Sequence, residues 1–130
     1  MPAEHSDELL TAVWEEIRDG AAILRLSGEI DISSAPELTS LFETVVARGF
    51  TDVVVDATKV TFMDSTGLHA LVEGKRLIHG NGTRIFLVPS PQVRRVLELV
   101  FPDPLFAARL DSVDDALAAI GEGNPLDIAR

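Results

Sequence analysis

Val53-Val54-Val55-Asp56-Ala57-Thr58-Lys59-Val60-Thr61-Phe62-Met63-Asp64-Ser65-Thr66-Gly67-Leu68 runs from a β-branched strand to the start of a helix, and its reading decides the fold. Three consecutive valines leave no polar face. Residues 52–56 therefore read as a strand covered on both sides, which makes it central in its sheet. Residues 57–64 read as the loop that follows. Beyond the loop, Leu68, Leu71, Val72 and Ile78 fall on one side of a helix over 65–79, while His69, Glu73 and Arg76 share a polar face. Gly80-Asn81-Gly82 stops that helix.

Toward the N-terminus, Leu38, Leu41, Phe42, Val45 and Val46 recur at i, i+3, i+4, i+7 and i+8, the stripe of an amphipathic helix over 35–48. Ser34 followed by Glu37 predicts a capping box at its start, and Gly49 supplies the stop. Earlier still, residues 9–18 and 21–28 alternate as strands around Asp19-Gly20, a two-residue hairpin signal. Toward the C-terminus a strand is expected at 84–88. Ser90-Pro91 then opens a helix striped by Val93, Val96, Leu97 and Val100, since proline at the first helical position forfeits no hydrogen bond. Pro102 and Pro104 break the chain, residues 105–110 form a short edge strand, and Ser112 caps a last helix carrying Val113, Ala116, Leu117 and Ile120. The tail from Gly121 is expected to fray. The order ββαβαβα(β)α gives an α/β fold with a mixed sheet of four to five strands and about four helices, its later strands parallel and right-handedly connected. No repeat or linker divides the chain, so residues 1–130 read as one domain with an ordered core of about 8–121.

Composition narrows the function classes. The 21 acidic against 11 basic residues give a net charge of −10, so a phosphate backbone is repelled and nucleic acid is not an expected partner. There is no cysteine, which excludes a disulfide scaffold and thiolate zinc sites. No apolar run reaches the ~18 residues of a membrane span, and the acidic N-terminus does not resemble a signal peptide. A cytoplasmic location, with no membrane contact, is expected.

The polar residues of the opening stretch sit at a strand's carboxyl end, where open α/β sheets place their sites. A helix start presents unpaired N–H groups and the positive end of the macrodipole, so a hydroxyl at Ser65 stands where a phosphate is favoured. Ser65 is a candidate phosphoacceptor. The plainer alternative is that Asp64 or Ser65 only caps the helix, with Gly67 allowing close packing.

Phe62-Met63-Asp64-Ser65-Thr66-Gly67-Leu68 resembles the signature of the anti-sigma factor antagonists, small STAS-domain proteins. Gly28-Glu29-Ile30-Asp31, with Ala35-Pro36-Glu37-Leu38, resembles the family's segment after its second strand, and Asp111-Ser112-Val113-Asp114-Asp115-Ala116-Leu117 its final helix. The resemblance implies a single STAS-like domain that is not an enzyme and binds no cofactor or metal of its own. It implies that Ser65 is phosphorylated by a partner that is both anti-sigma factor and serine kinase, with Thr66 the lesser acceptor. The unphosphorylated form would bind that partner and free sigma, and a PP2C-type phosphatase would reset the serine. By the same resemblance Glu29, Asp31, Met63, Asp64, Thr66, Gly67 and Leu68 form the partner-binding set, and the free domain is expected to be a monomer. Val100-Phe101-Pro102-Asp103-Pro104 departs from the family, which usually has a glycine-containing turn there.

Other chemistry is poorly supported. Asp56 at a strand end resembles the phosphoaspartate of a response-regulator receiver, and the pair Glu29 and Asp31 follows the second strand, but 84–88 leads to Pro89 with no lysine. The serine nucleophile elbow needs glycine where Met63 stands. His69 and Glu73, four apart on a helix, supply only two ligands on a wet face. Gly80-Asn81-Gly82 lacks the Lys-Ser/Thr of a phosphate loop, and Arg94-Arg95 reads as a solvated patch. Trp14 reads as packing on a strand. A non-switching STAS scaffold or transporter accessory module would need no hydroxyl at position 65.

Overall fold

The structure, a computed structural model, describes residues 10–18, 20–100, 108–109 and 111–121. Its elements are β1 (Thr11–Arg18), β2 (Ala21–Ile30), α1 (Ala35–Arg48), β3 (Asp52–Met63), α2 (Ser65–Gly80), β4 (Arg84–Pro89), α3 (Pro91–Val100), β5 (Ala108–Arg109) and α4 (Val113–Gly121). The strands form one mixed sheet in the order β1-β2-β3-β4-β5, with β1 antiparallel to β2 and every other pairing parallel. This is the α/β architecture that the sequence implies.

The three valines explain why β3 is central. Val53 and Val55 join a core with Leu38 and Phe42 of α1, Leu71 and Ile78 of α2, and Val93 and Leu97 of α3. Val54 faces the other way, into a smaller cluster with Phe86 and with Ala116 and Ile120 of α4. All three valines are fully buried, and each face supplies apolar area that drives folding. Where β3 meets β4, the Asp52 carboxylate accepts from Arg84 at 2.6 Å, with both side chains largely buried. Trp14 packs on Phe50, their ring centroids 6.3 Å apart.

Two local expectations are corrected. Residues 57–63 are not a loop. After β4 leaves at the Ala57–Pro89 pair, β3 continues to Met63 against the second half of β2. The ladder is shifted on either side of Gly28, whose φ of 97° lies in the region that glycine tolerates. Ser34, in turn, makes no side-chain cap on α1. Its hydroxyl is used inside the turn before the helix, accepting from the Asp31 N–H and donating to the Glu29 carbonyl, each at 2.9 Å.

Other stops and starts are where local chemistry puts them. Gly49 closes α1 at φ 71°, its N–H reaching the Val45 and Val46 carbonyls. Ser90 Oγ accepts from Val93 N at 3.2 Å, and Ser112 Oγ from Asp115 N at 3.1 Å. The edge strand expected over 105–110 is described only at Ala108–Arg109, paired with Phe86 and Leu87. Asp19 of the hairpin turn, the segment with Pro102 and Pro104, and the tail after Gly121 lie outside the described residues. Among the described residues, no helix is long and apolar enough to cross a membrane.

Candidate functional site

The site is built where β2 and β3 end side by side. Ile30 and Met63 are the last register pair of the two strands, and Asp64 N donates to the Ile30 carbonyl at 3.3 Å. Asp64 holds an extended backbone, φ −99° and ψ −175°, as an N-cap requires. Its carboxylate has two duties. Oδ1 accepts from Gly67 N at 2.8 Å, satisfying one of the orphan donors of α2, and Oδ2 accepts from Ile32 N at 3.3 Å across in the β2–α1 turn.

Because Asp64 is the cap, Ser65 falls at the first helical position. It is exposed, and among the described residues nothing accepts from or donates to its hydroxyl. The helical ladder begins with Leu68 N to Asp64 O at 2.9 Å, so the N–H groups of Ser65 and Thr66 have no acceptor within the helix. The approach of α2 to β2 depends on Gly67: a Cβ there would lie 2.1 Å from the Ile30 carbonyl oxygen.

The turn beside it is tightly bonded. Asp31 Oδ1 accepts from Ser33 N at 3.0 Å, Ser33 Oγ at 2.9 Å and Ser34 N at 3.1 Å. The Ser33 hydroxyl is the largest cause holding the Asp31 carboxyl below its ordinary value, with the Ser34 and Ser33 N–H groups adding to it against a smaller opposing effect of burial.

The sequence-predicted residues divide by exposure. Ser65 and Thr66 are exposed; Glu29, Asp31 and Asp64 are half-buried; Met63, Gly67 and Leu68 are buried beneath them. The first two groups are brought together by the adjacent ends of β2 and β3, and the buried three shape the surface from below. Asp56 lies elsewhere, opposite Arg25 and Val88 within the sheet, where its Oδ1 accepts from Thr58 N at 3.0 Å and Thr58 Oγ1 at 2.7 Å. It organises the point where β4 departs. His69 is exposed, and the Glu73 carboxylate accepts from Arg76 at 3.0 Å. Arg94 reaches Asp111 at 3.3 Å.

One feature next to Ser65 escaped the sequence reading. Ile32 stands 72% exposed in the turn, at the mouth of a shallow groove between α1 and α2 that Thr66 also lines. An isoleucine set among Asp31, Ser33 and Ser34 was the available signal.

A helix start with an exposed serine, at the carboxyl end of a mixed five-stranded sheet, defines a small α/β domain. The chain belongs to the STAS domain family, whose domain matches residues 15–116. It is 32% identical over 106 residues to the anti-sigma-F factor antagonist RsfB of Mycobacterium tuberculosis, covering 81% of this chain and 85% of RsfB. A crystal structure of an anti-sigma factor antagonist from Mycobacterium paratuberculosis superposes with a TM-score of 0.73 at 30% identity, over 88% of this chain and 96% of that one. The Bacillus cell fate determinant SpoIIAA in its phosphorylated form shares the fold, with a TM-score of 0.64 at 21% identity over 85% and 99% of the two chains.

Proposed function

We propose that this chain is an anti-sigma factor antagonist of the cytoplasm, not an enzyme, and that it acts as ligand and substrate of an anti-sigma factor with serine kinase activity. The unphosphorylated form binds that partner and releases the sigma factor; phosphorylation of Ser65 ends the binding, and a PP2C-type phosphatase restores it. The observation that carries this reading is the exposed Ser65 hydroxyl at the first turn of α2, unbonded among the described residues. RsfB and the Mycobacterium paratuberculosis protein support the antagonist class by their names.

The transfer step is simple in outline. Ser65 Oγ attacks the γ-phosphorus of ATP held by the kinase, the bond to the β,γ-bridging oxygen breaks, ADP leaves, and the hydroxyl proton passes to a base of the kinase. ATP and its magnesium belong to the partner. This chain contributes presentation: the Asp64 cap fixes the helix start, and the strand ends beneath it keep the serine clear of the core.

Phosphorylation adds a charge of about −1.5 to −2 at neutral pH. Against an acidic group of a docked partner ~5 Å away, with an effective dielectric near 20, its repulsion amounts to a few kcal/mol before salt screening. About 2.7 kcal/mol already changes affinity a hundredfold. The N–H groups of α2 favour the phosphate in the free domain, so the modification opposes docking without unfolding the protein. Mass spectrometry after coexpression with the candidate kinase tests the reading. Phosphate is expected on Ser65, and Ser65→Ala is expected to abolish it while the two proteins still copurify. Phosphate at another residue, with Ser65 untouched, ends the proposal.

A further inference from the structure

His69 follows Ser65 by four residues on α2, one turn along the same face, and both residues are exposed. Side chains on a helix lean toward its N-terminus, so an imidazole at 69 is directed over the turn that begins with Ser65. Among the described residues no hydrogen bond or ion pair engages the His69 ring. The charged groups around it are already committed. Glu73, a further turn along α2, accepts from Arg76 at 3.0 Å. Asp64 Oδ1 and Oδ2 are taken by Gly67 N and Ile32 N, and Asp31 Oδ1 is held by Ser33 and Ser34. From α1, the groove beside His69 is lined by Ala35, Pro36 and Thr39, none of them ionisable. A base with no acid bonded to it thus stands one turn from the candidate phosphoacceptor.

We propose that His69 holds the phosphate once Ser65 is modified, its imidazolium pairing with the phosphate oxygens one turn N-terminal to it. The inference rests on the antagonist reading and deepens it, because it gives the modified state a dependence on pH. A histidine ordinarily carries its charge below about pH 6.5, and a phosphoserine gains its second charge above about pH 6. The pair is therefore fullest between about pH 6 and 7: at higher pH the imidazole gives up its proton, and at lower pH the phosphate takes one. Each partner favours the charged form of the other, so pairing lowers the second ionisation of the phosphate and widens that window. One positive charge against about two negative ones leaves the phosphate net negative, so the pair does not undo the repulsion of a docked partner.

The test places phosphoserine at position 65 of the full chain during translation, which needs no kinase, and follows its phosphorus NMR resonance as the pH is varied. With His69→Gln the midpoint of the phosphate titration is expected to rise by about 0.3 unit or more, the effect of one unit charge acting through water over ~6 Å after some screening. His69→Lys, which restores a cation, is expected to bring the midpoint back down. His79→Gln, at an exposed histidine near the far end of α2, is expected to leave it unchanged. Near pH 6.5 the ring resonances of His69 should differ between the serine and phosphoserine proteins while those of His79 coincide. All the substituted positions are exposed, so melting temperatures should match the parent. Equal midpoints with and without His69 overturn the inference. A shift with His79→Gln as large as that with His69→Gln also overturns it, because the effect would then belong to the overall charge of the chain. The antagonist reading is judged separately, by mass spectrometry after coexpression: a Ser65 that the kinase never modifies ends that reading and the role of His69 with it, whereas an unmoved titration removes His69 alone.

Discussion

Three glycines on α2 make opposite predictions for one substitution. On helix propensity alone, Gly67→Ala, Gly74→Ala and Gly80→Ala would each stabilise by up to about 1 kcal/mol. The structure separates them. A Cβ at Gly67 would sit 2.1 Å from the Ile30 carbonyl oxygen and 2.8 Å from its carbon, atoms of a paired strand rather than a flexible side chain. Restoring ordinary contact needs a displacement of more than 1 Å between α2 and β2, and the carbonyl in the way is the acceptor for Asp64 N. Overpacking of this kind costs about 3 kcal/mol at the upper end of the usual range, which leaves a net loss of about 2 kcal/mol after the propensity gain. For 130 residues, this corresponds to a melting temperature lower by roughly 6–10 °C. At Gly74 the obstacle is the ring of Phe42, 1.9 Å away and fully buried, so a loss of the same order is expected. At Gly80 no atom lies within 4 Å, and alanine there should raise stability by up to about 0.5–1 kcal/mol. Urea and thermal denaturation of the three variants decide the matter. A Gly67→Ala protein as stable as the parent would refute the close approach that seats Ser65 beside the Asp31 turn.

Further outcomes follow from the same contacts. Asp64→Ala removes the cap on Gly67 N and the tie to Ile32 N, and should cost about 1–2 kcal/mol in urea denaturation, whereas Asp64→Asn keeps an acceptor and should cost less. Asp31 has a carboxyl depressed in the folded state, so its contribution to stability is complete above the ordinary carboxylate range and is lost as pH falls through and below about 4. The stability gap between the parent and Asp31→Asn should accordingly be widest near neutrality and close in acid, as melting curves across pH will read; a gap that widens in acid contradicts the assigned bonds. Arg84→Met leaves the buried Asp52 carboxylate without its guanidinium and should cost roughly 3 kcal/mol in chemical denaturation.

Where a few neighbouring residues decide the outcome, the fold was readable from the chain. Val53-Val54-Val55 marked the central strand, the stripes of α1 and α2 gave their buried faces, and Gly49, Ser90 and Ser112 acted as stop and caps. The readings that failed were those in which distant residues decide. β3 outran its expected end because β2 pairs with it beyond the shift at Gly28, and nothing within residues 57–63 announces that partner. Ser34 is a fit residue for a cap, but the Asp31 turn takes its hydroxyl first. Whether Asp64 or Ser65 capped α2 was undecided by residue type, since both are good caps; the extended backbone of Asp64 settles it. The Ile32 groove exists only because α1 and α2 meet, which sequence periodicity cannot convey.

On the proposed function, the division of labour between Asp64 and Ser65 explains how one surface would be both firm and modifiable. Asp64 makes bonds to β2, to the turn before α1 and to the first turn of α2, so the geometry of the site depends on it. Ser65, one residue later, takes no part in any of them. A phosphate there gains the unpaired N–H groups at the helix start and meets the Asp64 charge, two effects of opposite sign within the free domain. Their partial cancellation leaves the fold nearly indifferent to the modification. A docked partner enjoys no such cancellation, because it meets the added charge while covering the water that screens it. The proposed switch thus rests on adjacent residues with separate roles, Asp64 for the stability of the site and Ser65 for its modification.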